Sequence, residues 1–92
     1  MSFKAVYHPD VLRLDIRGIP SNIRSRIRKA IETRILIDPV MAGAPLRHSL
    51  KGHRKVRVGD WRIIYRIEGE IIVILKIGNR RDVYENIVRR KT

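Results

Sequence analysis

Cysteine is absent from the chain, and with it go disulfides, thiolate nucleophiles and cysteine-based zinc sites. Long apolar runs are absent too. The longest, Ile71 to Leu75, is far too short to cross a bilayer, so no membrane partner is expected. The opening stretch from Met1 to Tyr7 is short and Lys4 interrupts it, which does not fit a signal peptide and makes the cytoplasm the expected location. Internal repeats and low-complexity tracts are missing as well. Acidic residues are scarce, 9 against 21 Lys plus Arg.

That last imbalance sets the direction. A formal charge of +12 on 92 residues repels itself in a compact domain, and an anionic partner relieves the repulsion. Most of the excess is arginine, whose planar fork matches phosphate oxygens two at a time. Phosphate recognition, and RNA above other polyanions, is therefore the expected business of this chain. Hydrophobic residues at 43% are enough for one packed domain over residues 1–92.

The periodicity changes once along the chain. Phe3 to Tyr7 reads as a first strand. His8-Pro9-Asp10 opens a short helix carrying Val11, Leu12, Asp15 and Ile16, which Gly18 stops. A second helix starts with Ser21 as its expected N-cap and places Ile23, Ile27, Ala30, Ile31 and Ile35 on one face. Asp38-Pro39 ends it, and Met41 to Pro45 reads as a loop. From Leu50 the period becomes two: Lys55-Val56-Arg57-Val58, a turn at Gly59-Asp60, Arg62 to Ile67, a turn at Glu68-Gly69-Glu70, then the apolar strand Ile71 to Ile77. The expected fold is α+β: an N-terminal strand, two helices packed on one face of an antiparallel three- to four-stranded sheet, and a short C-terminal segment.

The other sheet face carries the chemistry. With Val56, Val58, Ile63, Tyr65 and Ile67 turned to the core, Lys55, Arg57, Arg62, Ile64 and Arg66 point away. Lys55, Arg57 and Arg62 then crowd together, and like charges that close repel unless an anion fills the gap. A solvated cationic face is the plainer alternative.

The stretches Leu50-Lys51-Gly52, Arg57-Val58-Gly59-Asp60-Trp61-Arg62-Ile63-Ile64-Tyr65 and Ile77-Gly78-Asn79-Arg80-Arg81-Asp82-Val83-Tyr84 resemble the RelE/ParE superfamily of toxins. So do the opening strand and helices and Gly43-Ala44-Pro45-Leu46. The resemblance implies the toxin of a type II toxin–antitoxin pair with one of two activities. RelE-type members enter the ribosomal A site and cut mRNA; ParE-type members poison DNA gyrase. Either is neutralised by an antitoxin, here expected to be RelB-like, acidic and bound in a hetero-oligomeric complex. Carried over position by position, Lys55 and Arg57 match two basic residues of the RelE-type strand. Arg62 matches the arginine after the turn aromatic, Arg80 the arginine after the glycine that ends the central strand, and Tyr84 the closing tyrosine. Arg57 stands where the best-known type has lysine, and Asn79 where many members have histidine. The RelE-type reading, a ribosome-dependent mRNA endoribonuclease, is the expectation.

RNA brings its own nucleophile, the 2′-hydroxyl, so no metal or other cofactor is expected, and the histidines and carboxylates show no ligand spacing. Arg62 and Arg80 are the candidates for stabilising phosphate charge. Lys55 is the candidate general base, since neighbouring cations disfavour a further positive charge on it. Tyr84 would hydrogen-bond the 2′-hydroxyl or stack on a base. His53 is either a general acid or a loop histidine facing solvent. Trp61 either stacks on a base or covers the sheet edge. Around this catalytic set, Arg24, Arg28, Lys51, His53, Arg54, Arg66 and Arg81 are the expected contacts to mRNA and 16S rRNA backbone. The charges on the second helix, Arg24, Arg26, Arg28, Lys29 and Arg34, are expected to form one basic stripe opposite its apolar face.

Overall fold

A computed structural model of the chain describes residues 2–91. One five-stranded sheet runs β1 (Lys4–Tyr7), β5 (Ile71–Asn79), β4 (Trp61–Glu68), β3 (His53–Val58), β2 (Ala44–Pro45). Two helical segments cover one face: α1 over residues 9–18 and α2 over residues 21–35. A one-turn helix, α3 (Pro39–Ala42), leads into β2. No helix among the described residues is long and apolar enough to cross a membrane.

The α+β expectation holds, with the sheet larger and less uniform than the sequence suggests. β1 runs parallel to β5, pairing Lys4 with Ile71 through Tyr7 with Ile74, while β2 to β5 are antiparallel. β5 is thus an interior strand, which explains its almost unbroken apolar run. The stretch 41–45, expected as a loop, holds the end of α3 and the two residues of β2. Asp38-Pro39 does not merely end a helix. It begins α3, with Pro39 in the first turn and the Asp38 carboxylate accepting the Met41 N–H at 3.3 Å, as that dipeptide can at a helix start. Ser21 is not the cap of α2. Pro20 takes that position in extended geometry, and its carbonyl accepts from Ile23 and Arg24 at 3.0 and 2.9 Å.

The helix-side core gathers Ile27, Ala30, Ile31 and Ile35 of α2 against Val56, Ile63, Ile72 and Ile74, the face that the three-and-four spacing foretold. Tyr65 is buried there, its hydroxyl donating to the Pro39 carbonyl at 2.7 Å. The opposite face is not open, as the alternation suggested. Ile64 points away from the helices yet is 0% exposed, packed with Leu50, Leu75, Val83 and Ile87. The cover is the C-terminal segment, whose last turn spans Ile87–Lys91.

A bulge in β5 lies beside this second core. Ile64 pairs with Lys76 and Tyr65 with Ile74, which leaves Leu75 as the extra residue. An inserted residue shifts the alternation, so Ile77 faces the helices with Ile72 and Ile74 instead of joining Leu75 on the other side. Beyond the end of β1, the outer edge of β5 is closed by side chains. The Ile77 N–H donates to Asp15 at 2.9 Å, and Arg90 donates to the Leu75 carbonyl at 3.3 Å.

Candidate active site

Strand register aligns the predicted cations in two adjacent rows. Arg57 pairs with Arg62 and Arg62 with Gly78; next to that row, Lys55 pairs with Ile64 and Ile64 with Lys76. Directly opposed residues on one sheet face have Cβ atoms roughly 5 Å apart, so Lys55, Arg57 and Arg62 form one basic surface. Arg62 is braced, donating to the Gly59 and Trp61 carbonyls at 3.0 Å each. Trp61 is half-buried against the helix-side core at the sheet end.

Two glycines permit this arrangement by what they lack. A Cβ on Gly78 would sit 3.1 Å from Val83 Cα, so the chain after β5 packs directly against the Gly78 end of the Arg57–Arg62–Gly78 row. That segment carries Arg80 and Tyr84, both exposed, Tyr84 at 41%. The Arg80 N–H donates to the Asp60 carbonyl at 2.8 Å, which ties the segment to the β3–β4 turn beside Arg62. A Cβ on Gly43 would meet the Tyr65 hydroxyl at 2.5 Å and the Lys55 carbonyl at 2.8 Å. Only glycine lets the chain entering β2 lie against the strand that presents Lys55.

Lys76 is a positioning residue that the alternating pattern missed. It shares the Lys55 row, and its ammonium donates to the Glu85 and Asp82 carbonyls, holding down the segment that bears Tyr84. Burial, helped by the Arg90 charge, lowers its pKa from the ordinary lysine value. No sequence signal short of the bulge itself turns Lys76 to this face.

Among the described residues, Lys55, Arg57, Arg62 and Arg80 form no ion pair with a carboxylate. Four cations without counter-charge make a surface that favours an anion. No group of three or more His, Asp or Glu side chains among the described residues could hold a metal ion.

The remaining expected contacts scatter. Lys51 and Arg81 are exposed in the turns before β3 and after β5. Arg66 is half-buried and paired with Glu68. Arg54 lies on the helix side, where its guanidinium donates to the Val40 and Gly43 carbonyls at 2.9 Å each and so fixes α3. His53 does not face solvent. It is 6% exposed and neither ring nitrogen has a hydrogen-bond partner among the described residues. Burial, then the charge on Arg66, lowers its pKa. The basic residues of α2 divide into two flanks rather than one stripe. Arg24 and Arg28 line a groove of about 550 Å³ with Leu12, Ile16 and Ile31, whereas Arg26, Lys29 and Arg34 face the end of β3.

The α+β architecture, a five-stranded sheet with two helices on one face, matches RelE-like folds. The family model for the ParE toxin of type II toxin–antitoxin systems matches residues 6–84, and the chain belongs to this family, within the RelE/ParE toxin superfamily. It is 32% identical over 74 residues to Toxin RelG of Mycobacterium tuberculosis, covering 78% of this chain and 85% of that protein. The toxin–antitoxin complex RelBE2 from the same organism contains a chain that superposes with a TM-score of 0.79 at 26% identity, over 87% of this chain and 100% of that one. The free Escherichia coli toxin RelE, a mutant form, shares the fold at a TM-score of 0.79 and 18% identity over the whole of both chains.

Proposed function

We propose that this toxin is a ribosome-dependent endoribonuclease that cleaves mRNA in the A site and thereby stops translation. The observation that carries the reading is the juxtaposition of Lys55, Arg57 and Arg62 on neighbouring strand positions, with the segment bearing Arg80 and Tyr84 packed against Gly78 at the end of their row. The similarity to proteins named RelG and RelE supports it.

Lys55 in its neutral form takes the proton of the 2′-hydroxyl. The 2′-oxygen bonds to phosphorus and the bond from phosphorus to the 5′-oxygen breaks, giving a 2′,3′-cyclic phosphate and a 5′-hydroxyl. Arg57, Arg62 and Arg80 neutralise the charge that builds on the phosphate oxygens, the term that contributes most in such reactions. The 5′-oxygen takes its proton from water, since His53 is buried. Exposed Tyr84 stacks on an unpaired base or holds the 2′-hydroxyl. Nothing in this scheme requires a metal ion.

The cognate partner is an acidic antitoxin in a hetero-oligomeric complex, in line with the RelBE2 and Methanococcus jannaschii RelB–RelE complexes among the structural neighbours. mRNA and the 16S rRNA lining the A site are the nucleic-acid partners, and the cytoplasm is where they meet. A second reading, a DNA gyrase inhibitor without nuclease activity, is favoured by the match to the ParE family model. An in vitro translation reaction with message ends mapped by primer extension separates the two. Cuts at A-site codons only with ribosomes present, lost in Arg62→Ala, are expected. Intact message together with accumulation of gyrase-cleaved DNA would put the second reading in place of the first.

A further inference from the structure

On the helix side of the sheet end lies a cleft of about 350 Å³ walled by Arg26, Lys29, Thr33 and Arg34 of α2 and by Arg57 and Gly59 of the β3–β4 hairpin. α2 reaches it because residues 26, 29–30 and 33–34 recur at helical spacing on the flank beside its buried face. Arg26 crosses the turn where a side chain would otherwise stand. Its guanidinium nitrogens lie 3.5 and 3.6 Å from the point a Gly59 Cβ would occupy, and Gly59 has φ +60°. None of Arg26, Lys29, Arg34 and Arg57 pairs with a carboxylate among the described residues.

The geometry points to a phosphate-binding subsite in which Arg26, Lys29 and Arg34 hold the backbone of the RNA strand next to the phosphate being cleaved. Three considerations carry this. Four cations facing one small cleft repel one another unless an anion enters. Three are arginines, whose forks suit phosphate oxygens. Arg57 belongs both to this cleft and to the Arg57–Arg62 row, so the two sites are contiguous and one strand can occupy both. The cleft contrasts with the Arg24–Arg28 flank of the same helix, where the charges border an apolar groove. The cleft itself stands on the placement of these side chains; its assignment to the substrate strand rests on the nuclease reading.

Fluorescence anisotropy of the full chain with a labelled, fully 2′-O-methylated single-stranded RNA tests it, because that probe binds without being cut. Lys29→Gln with Arg34→Gln removes two cleft charges, and Lys4→Gln with Arg17→Gln removes two exposed charges outside it. Loss of two phosphate contacts lowers the slope of log affinity against log salt by about 1.4, which at 0.1 M salt is a roughly 25-fold weaker complex. That loss is expected for the cleft pair only. Equal losses from both pairs would reduce the cleft to diffuse charge and overturn the proposal. So would unchanged RNA binding accompanied by weakened binding of a polyglutamate peptide, which would hand the cleft to an acidic protein. If the double variant melts early by circular dichroism, Arg26→Gln is read against Arg17→Gln, with the slope change halved. Ribosome cleavage run alongside keeps the two claims apart. A cleft effect on RNA binding without any cleavage by the wild type leaves the subsite and removes the nuclease; cleavage with a silent cleft does the reverse.

Discussion

The Asp15 carboxylate grips the Arg90 guanidinium through two bonds of 2.7 and 2.9 Å, joining the first helix to the end of the chain across 75 positions of sequence. Both side chains are nearly buried, at 6% and 10% exposure. The pair also closes the free edge of β5, Asp15 taking the Ile77 N–H and Arg90 the Leu75 carbonyl. Removing Asp15 leaves the nearly buried Arg90 with only the more distant Asp10 carboxylate, 3.9 Å away. Asp15→Ala is therefore expected to cost about 3 kcal/mol of stability, seen as a lower urea midpoint with an unchanged slope. Replacing both residues with apolar ones should recover part of that loss; a double variant as unstable as the sum of the singles would refute the pairing.

Gly78 is where stability and the proposed chemistry separate. Alanine there puts a Cβ 3.1 Å from Val83 Cα, so the segment carrying Arg80 and Tyr84 must lift by a few tenths of an ångström. Misplacement on this scale costs catalysis more than it costs folding. Gly78→Ala should lower ribosome-dependent cleavage by about tenfold while the melting temperature falls by only a few degrees. A wild-type cleavage rate in that variant would mean that the segment does not set the geometry.

The legibility of this molecule follows the range of each interaction. Strands β3 to β5 and the buried face of α2 are readable because alternation and helical spacing are local. The Lys55–Arg57–Arg62 surface is readable for the same reason: a short hairpin fixes register, as Arg57 opposite Arg62 shows. Three features depend on contacts far apart in sequence and escape the pattern. The bulge at Leu75 turns Lys76 toward the site, the C-terminal segment covers Ile64, and β1 joins β5 in parallel. His53 and Arg54 mislead for one shared reason. A loop histidine and a basic strand residue suggest solvent, yet His53 is buried near Arg66 and Lys91, and Arg54 donates to the Val40 and Gly43 carbonyls.

Burial gives His53 a predictable pH signature. Its folded-state pKa lies below the ordinary 6.5, through burial first and the Arg66 charge second, with Lys91 adding a further unfavourable charge. Below 6.5 the unfolded chain therefore binds a proton that the folded chain resists, so stability rises with pH across that window. The contribution is complete above 6.5 and is lost as pH falls toward the folded-state value. Urea unfolding at several pH values should show this decline on acidification, and His53→Leu should flatten it. An identical decline in His53→Leu would assign the effect to carboxylates instead.

Lys55 and Arg62 can be told apart by the pH dependence of cleavage. Under the proposed mechanism Lys55 must be without its proton before it can accept one, so the single-turnover rate on ribosomes is expected to rise with pH. Arg62 stays charged throughout and acts on the phosphate, so its removal lowers the rate by a factor on the order of a hundred without moving the rising limb. Lys55→Met should lower the rate and abolish the limb. The paired outcome is what matters: a constant factor in Arg62→Ala and a flattened profile in Lys55→Met divide electrostatic stabilisation from proton transfer. If instead Lys55→Met keeps the rising limb at a reduced rate, Lys55 is one more phosphate-binding cation and the base lies elsewhere. Because Lys55 and Arg62 occupy neighbouring rows of one hairpin, the two losses should also fall short of additive in the double variant.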